Sequence, residues 1–155
     1  MILGFILSAA VIAVDQLTKF LIYGTRARSI IGNLLWFESS LNTGVAFSMF
    51  EGKSYIFIIT SLLASAVFVW LIISKKFFAN RYEKITLGVI LGGTLGNVID
   101  RIIFNGVRDF IYLKFINFAI FNVADMAITL GAIALCVYEI IVLLKKEKPK
   151  EENDD

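Results

Sequence analysis

Four stretches of this chain are apolar for long enough to cross a bilayer, and its polar residues collect between and after them. A spanning helix needs about 20 apolar residues, rising 1.5 Å each, to cover a core of about 30 Å. Residues 2–23, 55–74, 85–104 and 122–144 meet that length. The first differs from a secretory leader. It has no basic residues ahead of it, it runs on past Lys19, and no small-residue cleavage site follows, so it reads as a retained span. Between spans one and two, residues 30–41 mix β-branched, aromatic and polar side chains, a pattern for a short strand or two. The pattern predicts an all-α membrane protein of four transmembrane helices, one domain over residues 1–155, with a small β-containing region outside the membrane.

Charge orients the spans. Lys75, Lys76, Arg81 and Lys84 lie between spans two and three, and Lys145, Lys146, Lys148 and Lys150 follow span four. The longer loops 24–54 and 105–121 hold only Arg26, Arg28, Lys53, Arg108 and Lys114. The positive-inside rule then puts both termini in the cytoplasm and those two loops outside. Residues 145–155 have no apolar face and read as a disordered cytoplasmic tail. Gly88, Gly92 and Gly96 fall on one face of span three, where a neighbouring helix can approach closely.

Composition narrows the chemistry. The chain is 58% hydrophobic and 18% charged, against about 45–50% and about 25% in soluble domains. A net charge of +2 gives no reason to expect nucleic acid. With no histidine, Ser-His-Asp and Cys-His triads and His-ligated metals are excluded, and a lone cysteine, Cys136, excludes an internal disulfide. Carboxylates, amides, hydroxyls and backbone remain.

Ionisable residues inside a bilayer are costly and mark functional sites. The spans carry Asp15, Lys19, Asp100, Arg101, Asp125 and Glu139. Glu139 lies near the cytoplasmic end, where it can snorkel. Asp15 sits about 12 Å below the outer end of its span; Asp100, Arg101 and Asp125 lie in the terminal turns at the same face, and Asp109 is in the loop beyond. Asp15 and Lys19 are spaced to pair on one helix face, and Asp100 beside Arg101 reads as a second buried pair. Asp109 and Asp125 lack such partners, apart from Arg108 next to Asp109. Two carboxylates brought together share a proton, so one can activate water while the other assists the carbonyl or leaving group.

Five motifs follow in order: Asp15-Gln-Leu-Thr-Lys19, Asn42-Thr-Gly-Val-Ala-Phe47, Gly92-Gly-Thr-Leu-Gly-Asn-Val-Ile-Asp-Arg101, Val107-Arg-Asp-Phe110 and Phe121-Asn-Val-Ala-Asp125. With these the whole chain resembles the lipoprotein signal peptidases, the type II signal peptidases of bacteria. The resemblance implies an aspartyl catalytic dyad at Asp109 and Asp125. It implies binding or site-organising roles for Asp15, Lys19, Asn42, Gly44, Ala46, Phe47, Asn97, Asp100, Arg101, Phe121, Asn122 and Ala124. It also implies cleavage of lipid-modified prolipoproteins before the diacylglyceryl cysteine, in the bacterial cytoplasmic membrane near its outer face. No metal or organic cofactor is implied, and globomycin-type inhibitors are. Val45 and Thr94 stand where the family more often has alanine.

A signal peptide whose cut site lies at the headgroups suits a site at that level. Asn42, Asn97 and Asn122 can satisfy an extended backbone that finds little water there, while Gly44, Gly96 and Ala124 leave room for it. Asn122 also suits a helix cap. The same residues admit a small proton-coupled transporter built on Asp15, although clustering at one face argues against it. A metal-dependent phosphotransferase on Asp100, Asp109 and Asp125 is a further alternative that the motif order does not fit.

Overall fold

The structure, a computed structural model, describes residues 1–44, 54–74, 76–78 and 80–147. Its elements in chain order are α1 (Ile2–Ile22), β1 (Arg28–Ile31), β2 (Leu35–Asn42), α2 (Ser54–Ile73), α3 (Arg81–Phe104), β3 (Val107–Leu113) and α4 (Val123–Glu147). All four helices are long and apolar enough to span a membrane. The chain is a multi-pass membrane protein with a small sheet.

Helix α3 is the centre, packed against α1, α2 and α4. In its most apolar stretch 61% of residues are buried, against 17% or less in the others, which therefore turn most of their surface to lipid. Glycines make this possible. A Cβ on Gly88 would collide with the carbonyl oxygen of Gly4, one on Gly92 would sit 2.6 Å from that of Ser8, and one on Gly93 2.5 Å from that of Ala124. Close backbone approach replaces the hydrophobic effect, which is absent between helices in lipid.

Helix α3 starts at Arg81, four residues before the expected span, because Asn80 caps it. Asn80 Oδ1 accepts from the Tyr82 N–H at 2.9 Å and Glu83 Oε2 accepts from the Asn80 N–H at 3.0 Å. The other end closes on Asn105, which adopts the left-handed conformation at φ 53°. Helix α4 carries on through Glu147, so the first residues of the expected tail are helical; residues 148–155 lie outside the described residues.

The sheet is the element the sequence foretold least. Its order is β1-β2-β3, antiparallel throughout. β1 and β2 fall close to the strand-like stretch 30–41, but β3 comes from the outer loop between α3 and α4, for which no strand was foreseen. The register pairs Ser40 with Asp109, Leu41 with Arg108 and Asn42 with Val107. Phe121 then bridges to Ile111 by two backbone bonds of 2.8 and 3.0 Å, which returns the chain beside β3 just before α4 begins. Both long loops thus meet at one end of the bundle, opposite the basic connection between α2 and α3.

Candidate active site

Asp109 is carried by β3 rather than by a free loop, and Asp125 by the first turn of α4. The bridge at Phe121 brings the two together. Asn122 is the joint between them. Its Oδ1 accepts from the Asp125 N–H at 2.9 Å and Asp125 Oδ2 accepts from the Asn122 N–H at 3.2 Å, a reciprocal cap at the start of α4. With its oxygen held by the cap, the Asn122 amide turns Nδ2 outward, and this donates to Asp109 Oδ1 at 2.6 Å. Asn42 Nδ2 reaches the other oxygen of Asp109 at 3.3 Å, and Asn97 Nδ2 donates to Asp125 Oδ1 at 2.7 Å. Each carboxylate therefore accepts from amides supplied by separate elements.

Asp109 is 2% exposed. Burial, reinforced by the nearby Asp125 carboxylate, pushes its carboxyl up to about 7, against the pull of the Asn122 and Asn42 bonds and the Lys19 charge. A carboxyl at that value exchanges its proton near neutrality, which general acid–base work requires.

Beside the pair lies a cleft of about 320 Å³, lined among others by Asn42, Asn97, Arg101, Asp109, Phe121 and Asp125. Arg101 is not the partner of Asp100 that adjacency suggested. Its guanidinium stands 5.6 Å from the ring centre of Phe57 and faces the cleft. A helix turns about 100° per residue, so neighbours on α3 point to different sides. Asp100 points to α1, and its partners are Lys19, at 3.3 Å, and Arg108, at 2.8 Å.

Below the cleft is a second, drier set. Lys19 Nζ lies 2.8 Å from Asp15 Oδ2 and donates to Asn97 Oδ1 at 3.1 Å; both charged side chains are fully buried. Asp15 Oδ1 accepts from the Ala124 N–H at 2.9 Å, tying α1 to the start of α4. Gly96 keeps that corner open, since a Cβ there would be 2.7 Å from Asp15 Oδ2.

The sequence candidates therefore separate into two layers. Asn42, Asn97, Arg101, Asp109, Phe121, Asn122 and Asp125 line the cleft or bond its carboxylates. Asp15, Lys19, Asp100 and Ala124 support them from beneath. Gly44 sits at the edge, where its N–H donates to Asn42 Oδ1 at 3.0 Å. Ala46 and Phe47 lie outside the described residues. Glu139 takes no part in the site; it is half-buried, and its Oε1 is enclosed without a hydrogen-bond partner among the described residues. Two residues inside the motifs went unread. Gln16 bonds Asp15, Asp100 and the Gly96 carbonyl, and Arg108 joins Asp100 instead of Asp109. An uncharged amide on a membrane-spanning face was the available signal for Gln16. Among the described residues, no group of three acidic or cysteine side chains gathers to hold a metal ion.

A helical bundle with a paired, amide-held carboxylate site at one end defines a class, that of polytopic membrane peptidases. Comparison with known proteins supports this directly. The family model described as Signal peptidase (SPase) II matches residues 7–141. A lipoprotein signal peptidase of Shouchella clausii is 37% identical over 150 residues, covering 94% of this chain and 97% of its own. One from Geobacillus thermodenitrificans is 37% identical over 144 residues, covering 88% and 89%. A solved bacterial membrane enzyme superposes with a TM-score of 0.83 at 28% identity, over 96% of this chain and 93% of that one. The chain belongs to the signal peptidase II family. It is a membrane-embedded protease.

Proposed function

We propose that this protein removes signal peptides from prolipoproteins by cutting before the diacylglyceryl-modified cysteine, with Asp109 and Asp125 as the catalytic dyad. The observation that carries this reading is the Asp109–Asn122–Asp125 connection beside the cleft: two carboxylates, one buried and raised to about 7, both bonded by Asn122, which gives its side-chain NH₂ to Asp109 and its backbone N–H to Asp125. Such a pair holds a single proton near neutral pH. The ionised member takes a proton from a water molecule, whose oxygen bonds the scissile carbonyl carbon while the protonated member donates to the carbonyl oxygen. The tetrahedral diol then collapses: the now ionised member takes a hydroxyl proton as the carbonyl reforms, the C–N bond breaks, and the other member gives its proton to the departing cysteine amine, which leaves the dyad with one proton again. Arg101 and Asn42, at the cleft wall, are placed to bond the substrate main chain. No step calls on a metal or organic cofactor.

Topology supports the substrate class. The site lies at the end of the bundle away from the basic connection, which by the positive-inside rule is the outer face of the cytoplasmic membrane. A diacylglyceryl cysteine is anchored at that headgroup level, so the bond to be cut need not enter the hydrocarbon. A globomycin-type inhibitor would occupy the same cleft. The test is incubation of purified protein in lipid with a prolipoprotein before and after diacylglyceryl modification. Cleavage of the lipidated form alone, insensitive to chelator and blocked by globomycin, is expected; equal cleavage of both forms, or none, overturns the reading.

A further inference from the structure

Arg108 is nine-tenths buried although it neighbours a residue of the proposed dyad. It reaches Asp100 three ways: the backbone N–H donates to Oδ2 at 2.9 Å, Nε to Oδ2 at 3.2 Å and Nη2 to Oδ1 at 2.8 Å. Nη2 also donates to Gln16 Oε1 at 2.8 Å, while Gln16 Nε2 donates to Asp100 Oδ1 at 3.0 Å. The guanidinium lies 4.2 Å from the centre of the Phe104 ring. Asp100, Arg108 and Gln16 thus form a closed triangle joining α3, β3 and α1, capped by an aromatic face.

We propose that Arg108 is a positioning residue for Asp109: by locking the start of β3 onto Asp100 of α3, it sets where the next residue's carboxylate stands relative to Asp125. Successive side chains of a strand point to opposite faces, so Arg108 reaches down into the bundle while Asp109 turns to the cleft. Their Cα atoms are about 3.8 Å apart, and a slip of one is a slip of the other. Asp109 itself bonds Asn42 of β2 and Asn122 before α4, neither of which belongs to α3. Yet Asp125 is held by Asn97 of α3. Among the described residues, the direct side-chain link from β3 itself to α3 is Arg108 on Asp100; the other route, from Asp109 through Asn122 to Asn97, runs by way of the loop before α4. Charge balance agrees: Asp15 and Asp100 face Lys19 and Arg108, two against two, so the supporting layer is neutral beneath the dyad.

This inference rests on the peptidase reading and is tested with it. Arg108→Lys keeps the charge but cannot reproduce the planar fork, and Arg108→Gln removes the charge. Steady-state cleavage of a diacylglyceryl-modified prolipopeptide by the full chain gives kcat and KM, and melting in the same detergent gives the folded fraction. Misplacement of catalytic groups by about 1 Å can cost up to about 100-fold. The expected result is a kcat lowered about fivefold in Arg108→Lys and about tenfold or more in Arg108→Gln per folded molecule, with KM within about twofold, because Arg108 does not line the cleft. A wild-type kcat in Arg108→Lys, a change in KM alone, or a loss of rate that merely tracks loss of folded protein overturns the proposal. Failure of the wild-type chain to cleave sinks the peptidase reading and this inference together; normal wild-type cleavage with unaltered Arg108 variants sinks only the inference.

Discussion

The side-chain amide of Asn122 donates to Oδ1 of Asn97 at 3.2 Å, and that same oxygen accepts from Lys19 Nζ at 3.1 Å. With two donors on its oxygen, Asn97 presents only its NH₂ to Asp125. A buried lysine on α1 therefore fixes the direction in which an amide on α3 meets a carboxylate on α4. Hydrogen bonds to a charged acceptor are worth roughly 1.5–3 kcal/mol, so these amides set the position of both carboxylates.

Asn122→Ala removes the 2.6 Å bond that holds the Asp109 carboxyl down. The carboxyl then rises above about 7, and the alkaline limb of the pH–rate profile moves upward. The maximal rate falls by about 10- to 100-fold, as is typical when a positioned acid–base group is disturbed. A profile measured from pH 5 to 9 checks both effects; an unmoved alkaline limb would mean that Asp109 does not govern it.

Stability should also report Asp109. Its carboxyl is raised from 3.8 to about 7 on folding, so the folded state holds a proton that the unfolded chain has given up between those values. By linkage, this group's contribution is fully present below about pH 4 and is lost as pH rises through about 7. Asp109→Asn, which needs no proton to be neutral, flattens that part of the curve and melts no lower than wild type at pH 7. Melting temperatures in detergent at pH 4, 5.5, 7 and 8 provide the comparison.

Asp100 behaves oppositely. It is fully buried and accepts from Arg108 and Gln16 while facing Lys19. Asp100→Asn strands the buried Arg108 cation, while Lys19 keeps Asp15, at a cost on the order of 3–5 kcal/mol. The variant therefore loses thermal stability along with activity, whereas Asp109→Asn loses activity alone. Matched melting and cleavage measurements on the two variants separate the roles, and a fully stable but inactive Asp100→Asn would move Asp100 into the dyad.

Close packing at Gly96 gives a further test. A methyl there would stand 2.7 Å from Asp15 Oδ2 and 3.5 Å from the Ala124 side chain, so Gly96→Ala displaces the Asp15 bond to the Ala124 N–H at the start of α4. The expected cost is about 1–3 kcal/mol, typical of overpacking, with a reduced cleavage rate. Gly24→Ala, at an open position, perturbs no such contact; its cost comes only from the positive φ of 81°.

Long apolar runs made the helices legible, because a bilayer demands length and tolerates few charges. The charges that broke this rule marked the site for the same reason. Adjacency in sequence misled where helix geometry intervened: Asp100 and Arg101 diverge, and Asp100 pairs instead with Arg108, eight residues on, and with Lys19 of α1. Strand β3 escaped detection because its first four residues, Val107, Arg108, Asp109 and Phe110, are all buried, so neither face shows the polar alternation of a solvated strand. Arg108 was hidden by its neighbour, since nothing local distinguishes an arginine beside an aspartate from one that clamps another helix.

Single substitution of each dyad member bears most directly on the chemistry. Purified wild type, Asp109→Asn and Asp125→Asn are incubated with a diacylglyceryl-modified prolipoprotein in lipid, and the released signal peptide is quantified by mass spectrometry. Asparagine keeps the shape but cannot exchange the proton, so both variants should fold and lose at least about a thousandfold in rate, in keeping with removal of an essential acid–base pair. Turnover within about tenfold of wild type in either variant would contradict the dyad.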